Sequence, residues 1–328
     1  MINKYNGCLL GLAIGDALGA PVESLSLSEI KIKYGEEGIT DFDAWDRFRA
    51  GSYSEDTQMS LVTAIGCIKA YQNIMYNRGN SSTDVVYSGY LEWLHSQKNP
   101  FWLRYTGNTI QSALESGRMG TIEEPINNSK DCNGLMRTAA VGLAYPSDMA
   151  FREGAEYAAI THGHPSGYLP AGFLSKMIAH IIEGSTLREA VEMSKKKLMD
   201  YEGHEETLRR IESAIEFSLS QESIENAIRA LGEGHTGEDA LGIAIYCSLK
   251  FFYDFEKGVQ AAVNHSGDSD STGTIAGAIL GAFLGVEAIP DNWIRNLEDT
   301  DTITQIATDI FKVFKMRETL ALKRYPLS

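Results

Sequence analysis

The chain has 328 residues, with 31 glycines but only 8 prolines, and is 43% hydrophobic and 22% charged. Glycine without matching proline or a three-residue period excludes collagen, and the hydrophobic share excludes disordered low-complexity sequence. Twenty-nine basic against 44 acidic residues give a net charge of −15, which makes long duplex nucleic acid and anionic membrane surfaces poor partners.

No apolar run approaches the roughly 20 residues of a membrane span. Apolar residues recur at helical spacing, as in Leu208, Ile211, Ile215 and Leu219 or Ile303, Ile306, Ile310 and Val313, and few stretches alternate with period two. The pattern predicts one all-α domain over residues 1–328, with roughly a dozen helices joined by short polar connectors. Lys4 and the apolar run from Cys8 to Ile14 imitate a secretory signal, but three glycines and Asp16 interrupt it. Cys8, Cys67, Cys132 and Cys247 lie far apart without a CxxC pair. They read as reduced thiols of a cytoplasmic protein, and a chain of this size can act as a monomer.

In chain order, Gly7, Gly11, Gly15 and Gly19 come first, four residues apart on one helix face. Glycine inside a helix costs about 1 kcal/mol relative to alanine, so such a stripe predicts close backbone approach. Ser28 then marks a short helix. The irregular stretch 35–55 leads into Tyr53-Ser54-Glu55-Asp56-Thr57-Gln58-Met59-Ser60, just before an apolar helix. Thr83 marks a further helix start, and a second irregular stretch, 118–133, ends at Asn133-Gly134, followed by Leu135 to Ala144 with Arg137 near its start. Asp148 precedes a helical segment, Met149 to Ile160, which Thr161-His162-Gly163-His164-Pro165 stops. Helix starts at Thr186 and Asp254 flank a third loop, 232–237. Last come Gly267-Asp268-Ser269-Asp270-Ser271-Thr272-Gly273 and a second glycine stripe, Gly273, Gly277, Gly281 and Gly285.

Each acidic cluster taken alone reads as a helix cap, because Ser, Thr and Asp satisfy free N–H groups and acids suit the helix dipole. Two clusters of the same chemistry point further. If the loops meet, four carboxylates converge and repel unless cations neutralise them. Carboxylates and hydroxyls without cysteine or an obvious histidine ligand are hard donors, suited to Mg²⁺ or Mn²⁺ rather than Zn²⁺. Both glycine-striped helices are therefore expected to pack together at the protein centre, with Asp56, Asp268 and Asp270 converging at their ends.

Read together, Gly15-Asp16-Ala17-Leu18-Gly19 with Glu23, Ser54-Glu55-Asp56-Thr57, Asn133-Gly134 to Met136-Arg137 and Gly267-Asp268-Ser269-Asp270-Ser271 resemble the ADP-ribosylglycohydrolase family. Thr161-His162 with Gly167-Tyr168 and Gly237-Glu238-Asp239-Ala240-Leu241 add weaker matches, and the resemblance runs through the whole chain. It implies an all-α fold around two Mg²⁺ or Mn²⁺ ions that removes ADP-ribose from a modified acceptor. Ser54, Glu55 and Asp56 would bind one side of the metal pair, and Asp268, Asp270 and Ser271 the other. The family usually has Asp at the position of Glu55 and Thr at that of Ser271, so metal spacing, metal preference or acceptor choice could differ here.

Cleavage at the ribose anomeric carbon passes through an oxocarbenium-like state and needs a placed, activated water. The resemblance gives Glu23 a role as ligand, gate or proton-transfer group, and has Asp56 or Asp268 orient or deprotonate the water. Without it, Glu23 reads as a solvated residue after Pro21. The resemblance also makes Asn133, Gly134 and Arg137 the pyrophosphate contact and His162 an ADP-ribose contact. Tyr168 either stacks on adenine or packs in its helix, His164 faces solvent, and Cys132 reads as an incidental, partly exposed thiol. The expected substrate is an ADP-ribosylated protein, with N-linked arginine the leading acceptor and ADP-ribose the product. The alternatives are O-linked serine, a nucleobase, or an ADP-ribose-binding member without turnover.

Overall fold

In the computed structural model of the protein, which describes residues 1–77, 79–104, 107–320 and 324–325, sixteen α-helices and no strand are present among the described residues. The first eight are α1 (Ile2–Gly19), α2 (Leu27–Tyr34), α3 (Glu55–Met75), α4 (Ser82–Ser96), α5 (Asn108–Glu115), α6 (Ala139–Ala144), α7 (Ser147–Ala159) and α8 (Pro165–Glu183). The rest are α9 (Leu187–Leu198), α10 (Glu205–Leu219), α11 (Ile224–Leu231), α12 (Gly237–Lys250), α13 (Phe255–Val263), α14 (Ser269–Leu284), α15 (Asp291–Asn296) and α16 (Thr300–Ile310). The all-α expectation holds, and the helix number was underestimated. The surplus lies in helices such as α5, α6, α11 and α15, which have eight residues or fewer, shorter than the window of about 11–18 residues over which an apolar period is counted.

Helix starts follow local hydrogen bonding. α2 begins at Ser26 rather than Ser28, because Ser26 and Glu29 form a reciprocal capping box. Ser81 and Asp84 do the same for α4, and Thr186 and Glu189 for α9. No single helix among the described residues is long and apolar enough to cross a membrane.

α1 and α14 form the axis of the molecule. From Gly7 to Gly19 every residue of α1 is buried, and from Ser269 to Ala282 so is every residue of α14. Helices apolar on all sides belong in a core. They run antiparallel, with Gly7 against the carbonyl of Gly281, Gly11 against that of Gly277, and Gly15 against that of Gly273. An added Cβ at any of these positions would overlap the opposing backbone. Seven of the eight stripe glycines are therefore required by contact. Gly285 is the exception: it lies beyond the end of α14 at φ +85°, and its requirement is conformational. Gly19, at the other end, meets the backbone of Ser269 and Asp270. That contact brings the start of α14 beside the end of α1, where the acidic residues gather.

Candidate active site

Asp16 organises the first acidic turn. It is completely buried, and its carboxylate accepts hydrogen bonds from the Ser54 N–H (2.8 Å), the Thr57 N–H (2.9 Å) and the Thr57 hydroxyl (2.6 Å). Ser54 caps α3 by accepting from the Asp56 N–H at 3.2 Å. Glu55 and Asp56, the first two residues of α3, are both buried. In the second turn Asp268 caps α14 by accepting from the Ser271 N–H at 3.2 Å, and Asp270 also accepts from that N–H, at 3.0 Å.

One hydrogen bond joins the turns: the Ser271 hydroxyl donates to Asp56 Oδ2 at 2.9 Å. Burial, then repulsion from neighbouring acids, raises Glu55, Asp56 and Asp270 well above the usual carboxylate range. Burial also raises Asp16, to about 6, against the lowering effect of its hydrogen bonds from Thr57 and Ser54. Glu23 opens to solvent at the lip of the site. Enough protein surrounds its carboxyl, with Asp268 and Asp16 nearby, to push it up to about 7.

Among the described residues, none of Asp16, Glu23, Glu55, Asp56 and Asp270 has a Lys or Arg ion pair. The nearest basic side chain to Asp268 is His235, with Nδ1 at 3.9 Å. Uncompensated buried carboxylates mutually raise their affinity for any cation, and the donors present are carboxylate and hydroxyl oxygens, which fit Mg²⁺ or Mn²⁺. The fit lies in donor type and unbalanced charge. No three His, Cys, Asp or Glu side chains among the described residues already form a metal-holding group, and some of the oxygens are engaged with one another as described above.

A sequence model of the family described as ADP-ribosylglycohydrolase matches residues 1–319. The chain belongs to the ADP-ribosylglycohydrolase family. It is 27% identical over 302 residues to the ADP-ribosyl-[dinitrogen reductase] glycohydrolase of Rhodospirillum rubrum, covering 89% of both chains. It is 24% identical to the ADP-ribosylarginine hydrolase Tri1 of Serratia proteamaculans, covering 94% of this chain and 79% of that protein. A solved structure titled "ADP-ribosylglycohydrolase-related protein complex" matches with a TM-score of 0.72 and 24% identity, over 95% of this chain and 98% of that one. That last likeness is one of fold.

The substrate side differs from the expectation at two residues, Arg137 and His162. Arg137 is completely buried. Its guanidinium lies 4.3 Å from the Tyr90 ring centroid and donates to Tyr157 O (3.2 Å) and Thr161 Oγ1 (2.6 Å). It braces the core and does not present charge to a pyrophosphate. His162 is equally buried, with Nδ1 beside Thr161 Oγ1 (2.8 Å) and Nε2 3.7 Å from Asp131. It lies beneath Gly134, where a Cβ would come 2.8 Å from Gly167 O and 3.0 Å from the His162 ring. It supports the turn from below and has no surface with which to touch a ligand. Tyr168 is buried early in α8, and the acids nearby are Glu123, Glu202 and Glu156 rather than those of the centre.

Asn133 and Gly134 form a short 3₁₀ turn with Cys132, capped by Asp131, which accepts from the Asn133 N–H at 2.9 Å. His164 caps α8 by accepting from the Ser166 N–H at 3.0 Å and is only partly exposed.

Two residues of the centre escaped the sequence reading. Asp16 lay inside a recognised motif, and an acid in an otherwise apolar helix next to a glycine stripe was the available signal. Cys132 was read as incidental. It is buried, and its thiol donates to Asp268 Oδ2 at 2.9 Å and approaches Ser271 Oγ at 3.6 Å. Nothing in the local sequence announces this contact across 136 residues. Burial, then the charge of Asp268, raises the thiol well above its ordinary value and keeps it protonated.

Proposed function

We propose that the protein is an ADP-ribosyl hydrolase that removes ADP-ribose from a modified protein side chain, with arginine as the acceptor and two Mg²⁺ or Mn²⁺ ions as cofactors. The observation that carries this reading is the meeting of the two acidic turns, tied by the Ser271 to Asp56 hydrogen bond, within a chain of this family. The arginine acceptor draws support from the likeness to an ADP-ribosylarginine hydrolase.

Ser54, Glu55 and Asp56 would hold one cation, and Asp268, Asp270 and Ser271 the other. When bound, the metals supply Lewis acidity toward ribose hydroxyls and water. Asp56 and Asp268 orient the attacking water. Glu23, raised to about 7, is matched to proton transfer near neutrality. Its carboxylate takes a proton as the water oxygen bonds to the anomeric carbon. The bond from that carbon to the guanidine nitrogen breaks, the electron pair stays on nitrogen, and Glu23 returns the proton there. Asn133 and Gly134 offer a turn for the pyrophosphate, supported from below by His162.

Incubation with ADP-ribosylated arginine, serine and nucleobase substrates, with Mg²⁺, Mn²⁺ or chelator, tests the proposal. Release of ADP-ribose from the arginine substrate is expected with metal, and loss of release in Asp56→Asn and Asp268→Asn. Release in the presence of chelator would sink the mechanism. Binding of ADP-ribose without release from any substrate would mean a binding module.

A further inference from the structure

Three consecutive apolar residues, Phe101, Trp102 and Leu103, are 88%, 52% and 40% exposed. Scattered exposed hydrophobics are ordinary, but a contiguous apolar tip marks an interaction site. This tip is firmly held. The Phe101 N–H donates to Asn99 Oδ1 (3.1 Å), and the Trp102 and Leu103 N–H groups donate to Asn99 O (both 3.0 Å). Arg47 donates to Pro100 O (3.0 Å) and Leu103 O (2.9 Å).

Its other anchors flank the α3 turn. Gln58, two residues after Asp56, donates to Trp102 O at 2.9 Å. Arg104 donates through Nε to the carbonyl of Tyr53, the residue before Ser54, at 2.9 Å. A short way along the chain Gly107 lies against Asn133, with a Cβ there 3.0 Å from Asn133 Oδ1. The tip is thus tied to the α3 turn, and Gly107, six residues after Phe101, lies at the turn proposed for the pyrophosphate. Arg47, which holds the tip, and Lys98, three residues before Phe101, are exposed, a small basic collar on a chain of net charge −15.

We infer that Phe101 and Trp102, with this collar, dock the polypeptide that carries the modification, by recognising an acidic segment with apolar residues that flanks the modified side chain. The inference rests on the hydrolase reading and deepens it. A pre-ordered aromatic tip engages a partner at low entropic cost, and aromatic and arginine residues dominate such contacts. The charge complementarity selects acidic over basic flanks and weakens as salt rises.

The test uses three synthetic peptides, each with one ADP-ribosylarginine, flanked by Asp, Glu and Leu, by Lys and Leu, or by Gly and Ser, beside free ADP-ribosylarginine. The wild type is expected to show its highest kcat/KM on the acidic peptide. The double variant Phe101→Ser/Trp102→Ser is expected to lose roughly tenfold on it while turning over free ADP-ribosylarginine as before. Phe252→Ser/Tyr253→Ser removes an aromatic pair that is 50% and 73% exposed on the connection between α12 and α13, and should change neither. Equal loss on the free compound would assign the tip to the nucleotide and overturn the inference. A wild type without preference, or one that favours the basic peptide, would overturn it too. If the wild type cleaves nothing, the hydrolase reading fails, and affinities of the same peptides still decide whether the tip docks acidic chains.

Discussion

The two acidic turns look alike in sequence but are held in different ways. The turn at the start of α3 is gripped by a carboxylate from another helix: Asp16 takes three hydrogen bonds from Ser54 and Thr57 and is sealed from solvent. The turn at the start of α14 caps itself through Asp268 and Asp270, and its outer oxygen faces loop residues, Cys132 at 2.9 Å and His235 at 3.9 Å. The α3 turn is set by the core, and the α14 turn is partly set by the loops that carry Cys132 and His235. Disturbing the first should harm the site more than disturbing the second.

The largest effect is expected at the seam that spaces the two turns. Gly15→Ala places a methyl on the Gly273 carbonyl, which is main chain and cannot yield. Urea unfolding should show a loss of about 3 kcal/mol or more, with both turns displaced and activity gone. Asp16→Asn comes next. One carboxamide oxygen cannot replace two carboxylate oxygens, and the new NH₂ group faces an N–H donor, so kcat should fall roughly 100-fold, as for lost outer supports of metal ligands. If Asp16→Asn proves milder than Cys132→Ser, the contrast between the turns is wrong.

The third prediction concerns pH. Asp16 goes from 3.8 in the unfolded chain to about 6 when folded, so between those values the native state holds a proton that the unfolded chain has released. Stability of the metal-free protein therefore falls as pH rises from about 4 through 6. The upward shifts of Glu55, Asp56 and Asp270 extend the fall toward higher pH. Thermal melts from pH 4.5 to 8 should show this decline, and Mn²⁺ or Mg²⁺ should flatten it; a metal-free melting temperature that climbs over this range would contradict the carboxylate assignments. The smallest effect is expected at Cys132. Cys132→Ser keeps a donor to Asp268, so kcat/KM should stay within about threefold, while Cys132→Ala, which loses one hydrogen bond, should cost up to about tenfold.

The all-α architecture was legible because helical period and capping residues are local signals, and the closeness of α1 and α14 because a repeated glycine has few other uses. The acids of the centre were legible as clusters. Arg137 and His162 were misplaced because residue type reveals a charge or a ring but not which side of a turn it faces. In each case neighbours from other parts of the chain, Tyr90 and Tyr157 for Arg137 and Asp131 for His162, decided the outcome. Cys132 shows the converse, a bland residue given importance by a distant chain crossing.

The glycine stripes carry one more consequence. Their spacing would allow all eight to pair as Gly7 with Gly285, Gly11 with Gly281, Gly15 with Gly277 and Gly19 with Gly273. The protein instead sits one notch away, with Gly7 on Gly281 and Gly19 on the Ser269 and Asp270 backbone, a shift of about 6 Å along the axis. A stripe that repeats every four residues is a ratchet with several equivalent stops, and the glycines cannot choose among them. The choice falls to the ring of Phe255 beside Gly11, to Val263 beside Gly273, and to the Asp270 main chain under Gly19. The stop they select is the one that seats the start of α14 against Gly19, one helical turn along α1 from Asp16.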